Sequence, residues 1–263
     1  MKMVRKSRFP GILTWITLLF LYLPIILLVI NSFNAARNGG IWMGFTMKWY
    51  VKLFHAREIW RSLTNTLFVA FFATIASTIL GTTAALALHK YKGNIQNAHY
   101  FLVYTPLVVP EILLGISLLL FFMAVGADLS ITTVIIAHIT FCLSYVTMAV
   151  LSCLQNFDSS IIEASRDLGA NSWTTTWRVL IPVISPGILS GALLAFTLSV
   201  DDYVISAFVA GPGTTTLPMR IYSMIRRGEM PLINALSSIL LAITFLAILI
   251  GQIISRRKKA GSN

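Results

Sequence analysis

Charge is scarce in this sequence: 11% of its 263 residues are Asp, Glu, Lys or Arg, while 57% are hydrophobic. Soluble chains carry roughly 25% charged residues, and mean hydropathy here is +0.81, so lipid must be the solvent for most of the surface. Acids are scarcer still, nine against twenty bases, for a net charge of +11. In a soluble chain that excess would suggest nucleic acid, but no uninterrupted basic face with interleaved aromatics is present to hold a duplex. Cysteine is nearly absent. Cys142 and Cys153 lie about 16 Å apart along a helix, too far for a disulfide, and read as small packing residues. The chain also lacks a Gly-x-x-x-x-Gly-Lys-Ser/Thr phosphate loop, a Ser/His/Asp triad and a His-Glu-x-x-His zinc pattern. Its nearest glycine cluster, Gly211-Pro212-Gly213, reads as a turn. His138 stands alone in an apolar run and is expected to be a hydrogen-bonded helix contact.

What the sequence does contain is six apolar runs long enough to cross about 30 Å of hydrocarbon: residues 11–31, 62–88, 100–123, 129–154, 186–209 and 232–254. Alternating segments of about ten residues, the pattern of a barrel, do not occur, so the expectation is an all-α polytopic protein forming one transmembrane domain over residues 1–263. The first run is too long for the core of a signal peptide and has no small-residue cleavage site, which makes it a retained helix. Six spans put both termini on one side. That side carries Lys2, Arg5, Lys6 and Arg8, Lys90 and Lys92, Arg166 and Arg178, and the four bases of Arg256 to Lys259; the other has five bases between Arg37 and Arg61 and three between Arg220 and Arg227. The positive-inside bias places both termini in the cytoplasm. The bases after the first span are expected in an interfacial amphipathic helix around Trp49, Tyr50, Leu53 and Phe54.

The long polar segment 155–185 has a regular plan. Asp158 or Ser159 can cap a helix beginning near Ser160, Glu163 lies in its early turns, and Gly169 can end it. A second short helix is expected from Ser172 to a break at Pro182. The string Glu163-Ala164-Ser165, then Gly169, then Val179-Leu180-Ile181-Pro182 resembles the Glu-Ala-Ala/Gly signature of permease subunits of ATP-binding-cassette importers. That resemblance implies a six-helix permease core and makes this segment the cytoplasmic coupling helix, with Glu163, Ala164, Gly169, Ile181 and Pro182 at the ATPase contact.

Ionisable groups within spans are costly and usually face a bundle interior or a wet cavity. Glu111 follows Pro110 in the third run, and Asp201-Asp202 sit in the outer half of the fifth. On a helix these two point about 100° apart, so at most one of them is expected to face a pathway while the other bonds a neighbouring helix or the backbone. Carboxylates there suit a cationic solute. The strings Leu198 to Ser206, Leu217 to Met224, Gly44-Phe45-Thr46, Lys48-Trp49-Tyr50 and Pro110-Glu111-Ile112 resemble spermidine/putrescine importer permeases. The resemblance implies a substrate pathway with Glu111, Asp201, Asp202, Ser199 and Trp49. It implies a bacterial inner-membrane location and three kinds of partner: a second, homologous permease, two cytoplasmic ATP-binding subunits, and a periplasmic or lipid-anchored polyamine-binding protein. No cofactor is expected on this chain, because ATP and Mg would be bound by the partner ATPase. The alternatives are an importer permease for another solute and a proton-coupled secondary transporter.

Overall fold

The computed structural model describes residues 9–37, 41–91, 93–155, 158 and 160–260. The described residues form helices and no strand: α1 Phe9–Ser32, α2 Lys48–His55, α3 Arg57–Lys90, α4 Asn94–Val108, α5 Glu111–Ala124, α6 Ile131–Gln155, α7 Ser160–Asp167, α8 Ser172–Thr175, a π-helical turn Thr176–Leu180, α9 Ile181–Asp201, α10 Val204–Val209, α11 Leu217–Arg226 and α12 Met230–Ala260. Five helical segments are long and apolar enough to cross a membrane, or six if α4 and α5 count as one bent span. The bases of the N-terminal tail, Lys92 and Ser159 lie outside the described residues.

The chain divides into two compact units, Met1–Ile59 with Ile221–Asn263, and Trp60–Arg220. In the first unit, α12 packs on α1 and α2. The outer faces of α1 are bare, with Trp15 75% and Phe20 74% exposed, as lipid-facing residues are. Between α1 and α2 the chain folds back on Asn34. Its Oδ1 accepts the backbone N–H of Ala36 and of Met43 (both 3.0 Å), and its Nδ2 donates to the Ile41 carbonyl. Gly44, at φ +101°, supplies a turn that a side chain would strain. The amphipathic α2 is where the sequence places it, with Leu53 buried, Trp49 and Tyr50 half-buried, and Lys52, Val51 and Phe54 exposed.

The second unit is built around α6, whose buried face carries Val134, Ala137, His138, Cys142, Val146 and Val150. The partner helix α9 meets it with one small residue per turn: Gly187, Gly191, Ala195 and Ser199 are all buried. Spacing by four puts them in a single stripe, and small residues let helix backbones approach closely where lipid offers no hydrophobic drive. A β-carbon on Gly187 would lie 2.6 Å from Cys153 Cβ, and one on Gly191 would lie 3.3 Å from Val146 Cα. The two cysteines are packing residues in this seam: the Cys142 thiol donates to the Ala195 carbonyl at 3.5 Å.

Three expectations change. The third run is not one straight span: α4 and α5 meet at 114°. Pro110 has no N–H, and its ring pushes Val109 into extended backbone (ψ 131°). The fifth run also breaks. α9 ends at Asp201, Asp202 is extended at ψ 123°, and α10 restarts at Val204. Pro182, expected to end a helix, does not: the chain is helical from Ser172 through Asp201. There the Ile181 N–H reaches back five residues to the Thr176 carbonyl, and this wider turn accommodates a proline one position later.

Candidate functional site

The two breaks meet. Glu111 opens α5 directly after the first, Asp201 closes α9 at the second, and both line a cavity of about 190 Å³ with Asp202, Phe141, Tyr145 and Tyr203. The short α10 ties the walls together by packing on α5 and α6. Gly115 of α5 faces the Phe208 ring so closely that a β-carbon would sit 2.6 Å from it. The Thr133 hydroxyl of α6 lies 2.8 Å from the Val209 carbonyl at the end of α10.

The three acids do different things. Glu111 and Asp201 are exposed to the cavity, and among the described residues neither has an ion-pair partner. Asp202 borders the same space, but its carboxylate is spoken for. Its Oδ1 accepts the Ile205 N–H at 3.1 Å, and its Oδ2 accepts the Ser206 N–H and hydroxyl, both at 2.8 Å. Those amides belong to the first turn of α10, where a side-chain acceptor satisfies donors that no helical carbonyl can reach. His138 Nε2 stands 3.3 Å from the same Oδ2, and the two side chains are 1% and 5% exposed. One acid thus faces outward and its neighbour inward, as the sequence suggests, but the cause is a helix break rather than a 100° step.

The other two pathway candidates sit elsewhere. Ser199 is buried in the α6–α9 seam, its hydroxyl 2.7 Å from His138 Nδ1. Trp49 belongs to the first unit, where its indole N–H donates to the Asn34 carbonyl at 2.8 Å. It walls a hollow of about 460 Å³ lined by Arg37, Lys52, Arg227 and Glu229; Arg227 and Glu229 are paired at 3.1 Å, leaving a positive surplus that repels cations. The small-residue stripe of α9 was not among the expectations, although Gly187-x-x-x-Gly191 marks it in the sequence.

The segment between α6 and α9 forms two joined helices. Asp158 Oδ1 accepts the Ser160 N–H at 2.9 Å, and that N–H together with the Ser160 side-chain bond holds the carboxyl below the usual carboxylate range. Gly169, at φ +83°, ends α7: its N–H bonds the Arg166 carbonyl, and the Ala170 N–H bonds the Ser165 carbonyl five residues back, the paired closure of a left-handed C-cap. Asn171 caps α8 through the Thr174 N–H at 2.8 Å. Glu163, Ala164, Gly169 and Pro182 are exposed, Ile181 is half-buried, and Leu168 (89%) and Trp173 (71%) stand out from the surface.

The pattern described as "Binding-protein-dependent transport system inner membrane component" matches residues 77–260, which takes in both the α7–α8 pair and the cavity. The chain belongs to this family. Among relatives of the permease, the spermidine/putrescine transport system permease protein PotC of Haemophilus influenzae (strain ATCC 51907 / DSM 11121 / KW20 / Rd) is 39% identical over 238 residues, 90% of this chain and 93% of that one. The putrescine transport system permease protein PotI of Escherichia coli (strain K12) is 42% identical over 229 residues, 84% and 82% of the two chains. The fold of the permease is shared with a bacterial ABC transporter involved in import of the acidic polysaccharide alginate, at a TM-score of 0.74 and 18% identity, covering 96% of this chain and 98% of that one. The permease is therefore an all-α inner-membrane component with the ABC-importer permease fold.

Proposed function

We propose that the permease carries polyamines such as spermidine and putrescine across the bacterial inner membrane by alternating access, driven by partner ATPases. The observation that carries this reading is the cavity at the two helix breaks, where Glu111 and Asp201 stand unpaired beside Phe141, Tyr145 and Tyr203. Carboxylates and aromatic faces can replace the hydration that an ammonium loses on leaving water. The identities to PotC and PotI support the same solute class. An anionic solute would be repelled by these acids.

Docking of the ATPase falls to α7 and α8. The continuous helix Ser172–Asp201 has 30 residues, about 45 Å against about 30 Å of hydrocarbon, so its first turns project beyond the membrane with α7. Exposed Ile161, Leu168, Trp173 and Trp177 offer a partner an apolar grip, and Gly169 sets the angle between the two helices. In this reading both termini are cytoplasmic, ATP and Mg are held by two partner subunits, a second homologous permease completes the pathway, and a periplasmic or lipid-anchored binding protein delivers the polyamine.

The test is uptake by the complete transporter in vesicles. Asp201→Asn and Glu111→Gln keep shape and remove charge. Each should raise the KM for spermidine or putrescine about tenfold, equivalent to losing a charge-assisted contact of about 1.5 kcal/mol. A normal KM in both variants would remove the cavity from the pathway.

A further inference from the structure

His138 is the largest fully buried polar side chain of the described residues. Both of its nitrogens are engaged. Nδ1 lies 2.7 Å from the Ser199 hydroxyl, and Nε2 lies 2.9 Å from the Ser206 hydroxyl and 3.3 Å from Asp202 Oδ2. The proton positions follow from the acceptors. The Ser206 hydroxyl donates its one proton to Asp202 Oδ2, so toward His138 it can only accept, and Nε2 must carry hydrogen. Nδ1 faces the Ser199 hydroxyl, so with hydrogen on Nε2 every member of the cluster has a partner.

Asp202 does not present its own charge to the cavity, yet its backbone is the link between Asp201 and α10, and its side chain caps α10. α10 in turn packs on α5, whose first residue is Glu111. One imidazole from α6 therefore braces the joint between two cavity walls, each carrying a free carboxylate.

We infer that His138 is a positioning residue for the cation path: its Nε2–H, directed at Asp202 and Ser206, holds the α9–α10 joint in the form that presents Asp201, and through α10 and α5 Glu111, to the cavity. This rests on the cavity being the polyamine site. A hydrophobic side chain of similar size would fill the space but leave Asp202 with one donor fewer and Ser206 without its own. A glutamine can place an N–H where Nε2 stands.

The experiment compares His138→Gln, His138→Leu and Ser206→Ala in the complete transporter, reconstituted in vesicles and normalised to assembled complex, with KM and maximal rate measured for spermidine and putrescine. His138→Gln should stay within about threefold of the unmodified KM. His138→Leu should raise KM roughly tenfold, with a smaller rise for Ser206→Ala, which keeps the imidazole and loses one relay. Equal KM values for Leu and Gln variants would overturn the inference, as would an effect on maximal rate alone. If His138→Leu fails to assemble, Ser206→Ala decides: an unchanged KM there refutes the positioning role. Asp201→Asn and Glu111→Gln, run in the same vesicles, separate the two readings. A raised KM in those with none in His138→Leu refutes positioning only, whereas no change in either acid variant refutes the cavity and the inference together.

Discussion

Gly187→Ala adds one methyl group at the tightest point of the α6–α9 seam. Its β-carbon would meet Cys153 Cβ at 2.6 Å and Cys153 Sγ at 3.2 Å, where ordinary contact begins at 3.4 Å. Relief requires the backbones to separate by nearly 1 Å, and overpacking of this kind costs typically 1–3 kcal/mol. Against it stands the gain of about 1 kcal/mol for replacing glycine by alanine within a helix. Gly251 of α12 isolates that gain, since a β-carbon there meets nothing within 4 Å. Gly251→Ala should therefore hold or raise the melting temperature of the purified permease. Gly187→Ala should lower it by several degrees relative to Gly251→Ala, taking about 2–4 °C per kcal/mol. The neighbour sharpens the test: Cys153→Ala removes Sγ but keeps the offending Cβ, whereas Cys153→Gly removes both. In the Gly187→Ala background the glycine should rescue and the alanine should not, giving a coupling energy of opposite sign to the clash. Equal melting temperatures for the two Gly→Ala variants, or equal rescue by Cys153→Ala, would show that the helices do not meet through this stripe.

Asp202→Asn should act on stability before transport: with the α10 cap and the bond to His138 weakened, it should lower the melting temperature where Asp201→Asn does not. Gly169→Ala has no clash to make but must hold an alanine at φ +83°, a strain of about 1 kcal/mol; uptake should fall while insertion into the membrane is unchanged. Glu163→Lys should weaken co-purification with the ATPase and leave polyamine delivery to the outer face intact, and normal co-purification would remove Glu163 from that contact. The folded-state pKa of Asp158 is depressed, so the support it gives α7 is complete above the unfolded carboxylate value of about 4 and fades as pH falls through the lower, folded value. Amide exchange in residues 160–163 should accelerate over that acid range, and Asp158→Asn should abolish the change.

The uninterrupted spans were plain in the sequence because α1, α3, α6 and α12 are long apolar runs, and the one proline inside α1, Pro24, does not break it. The third and fifth runs look equally apolar, and composition alone carries both across the membrane. Their breaks have local causes of unequal visibility. Val109-Pro110 is a restriction written in the residue types, while the break at Asp202 depends on a carboxylate choosing the amides of Ile205 and Ser206, a contest settled only by the His138 and Ser206 partners that the fold brings in. Pro182 misleads in the opposite direction, since a π turn absorbs it. At the cavity, acids in apolar surroundings marked Glu111, Asp201 and Asp202 alike because burying charge is costly wherever it occurs, and nothing local told that Asp202 would turn its carboxylate to α10 and His138. Ser199 and Trp49 carry no such cost, and nothing in their spacing told that one would face a histidine and the other a backbone carbonyl. The cap at Asp158 and the turn at Gly169 were legible because both are local: each is decided within five residues of chain.

The glycine, alanine and serine stripe of α9 has a thermal consequence. Contacts made by releasing water from apolar surface change heat capacity and weaken on cooling. Helices that meet in lipid release no water, and the α6–α9 seam is held by direct atomic contact and by the Cys142 and His138 bonds. Its strength should carry little heat-capacity change, leaving this joint as firm in the cold as in the warm.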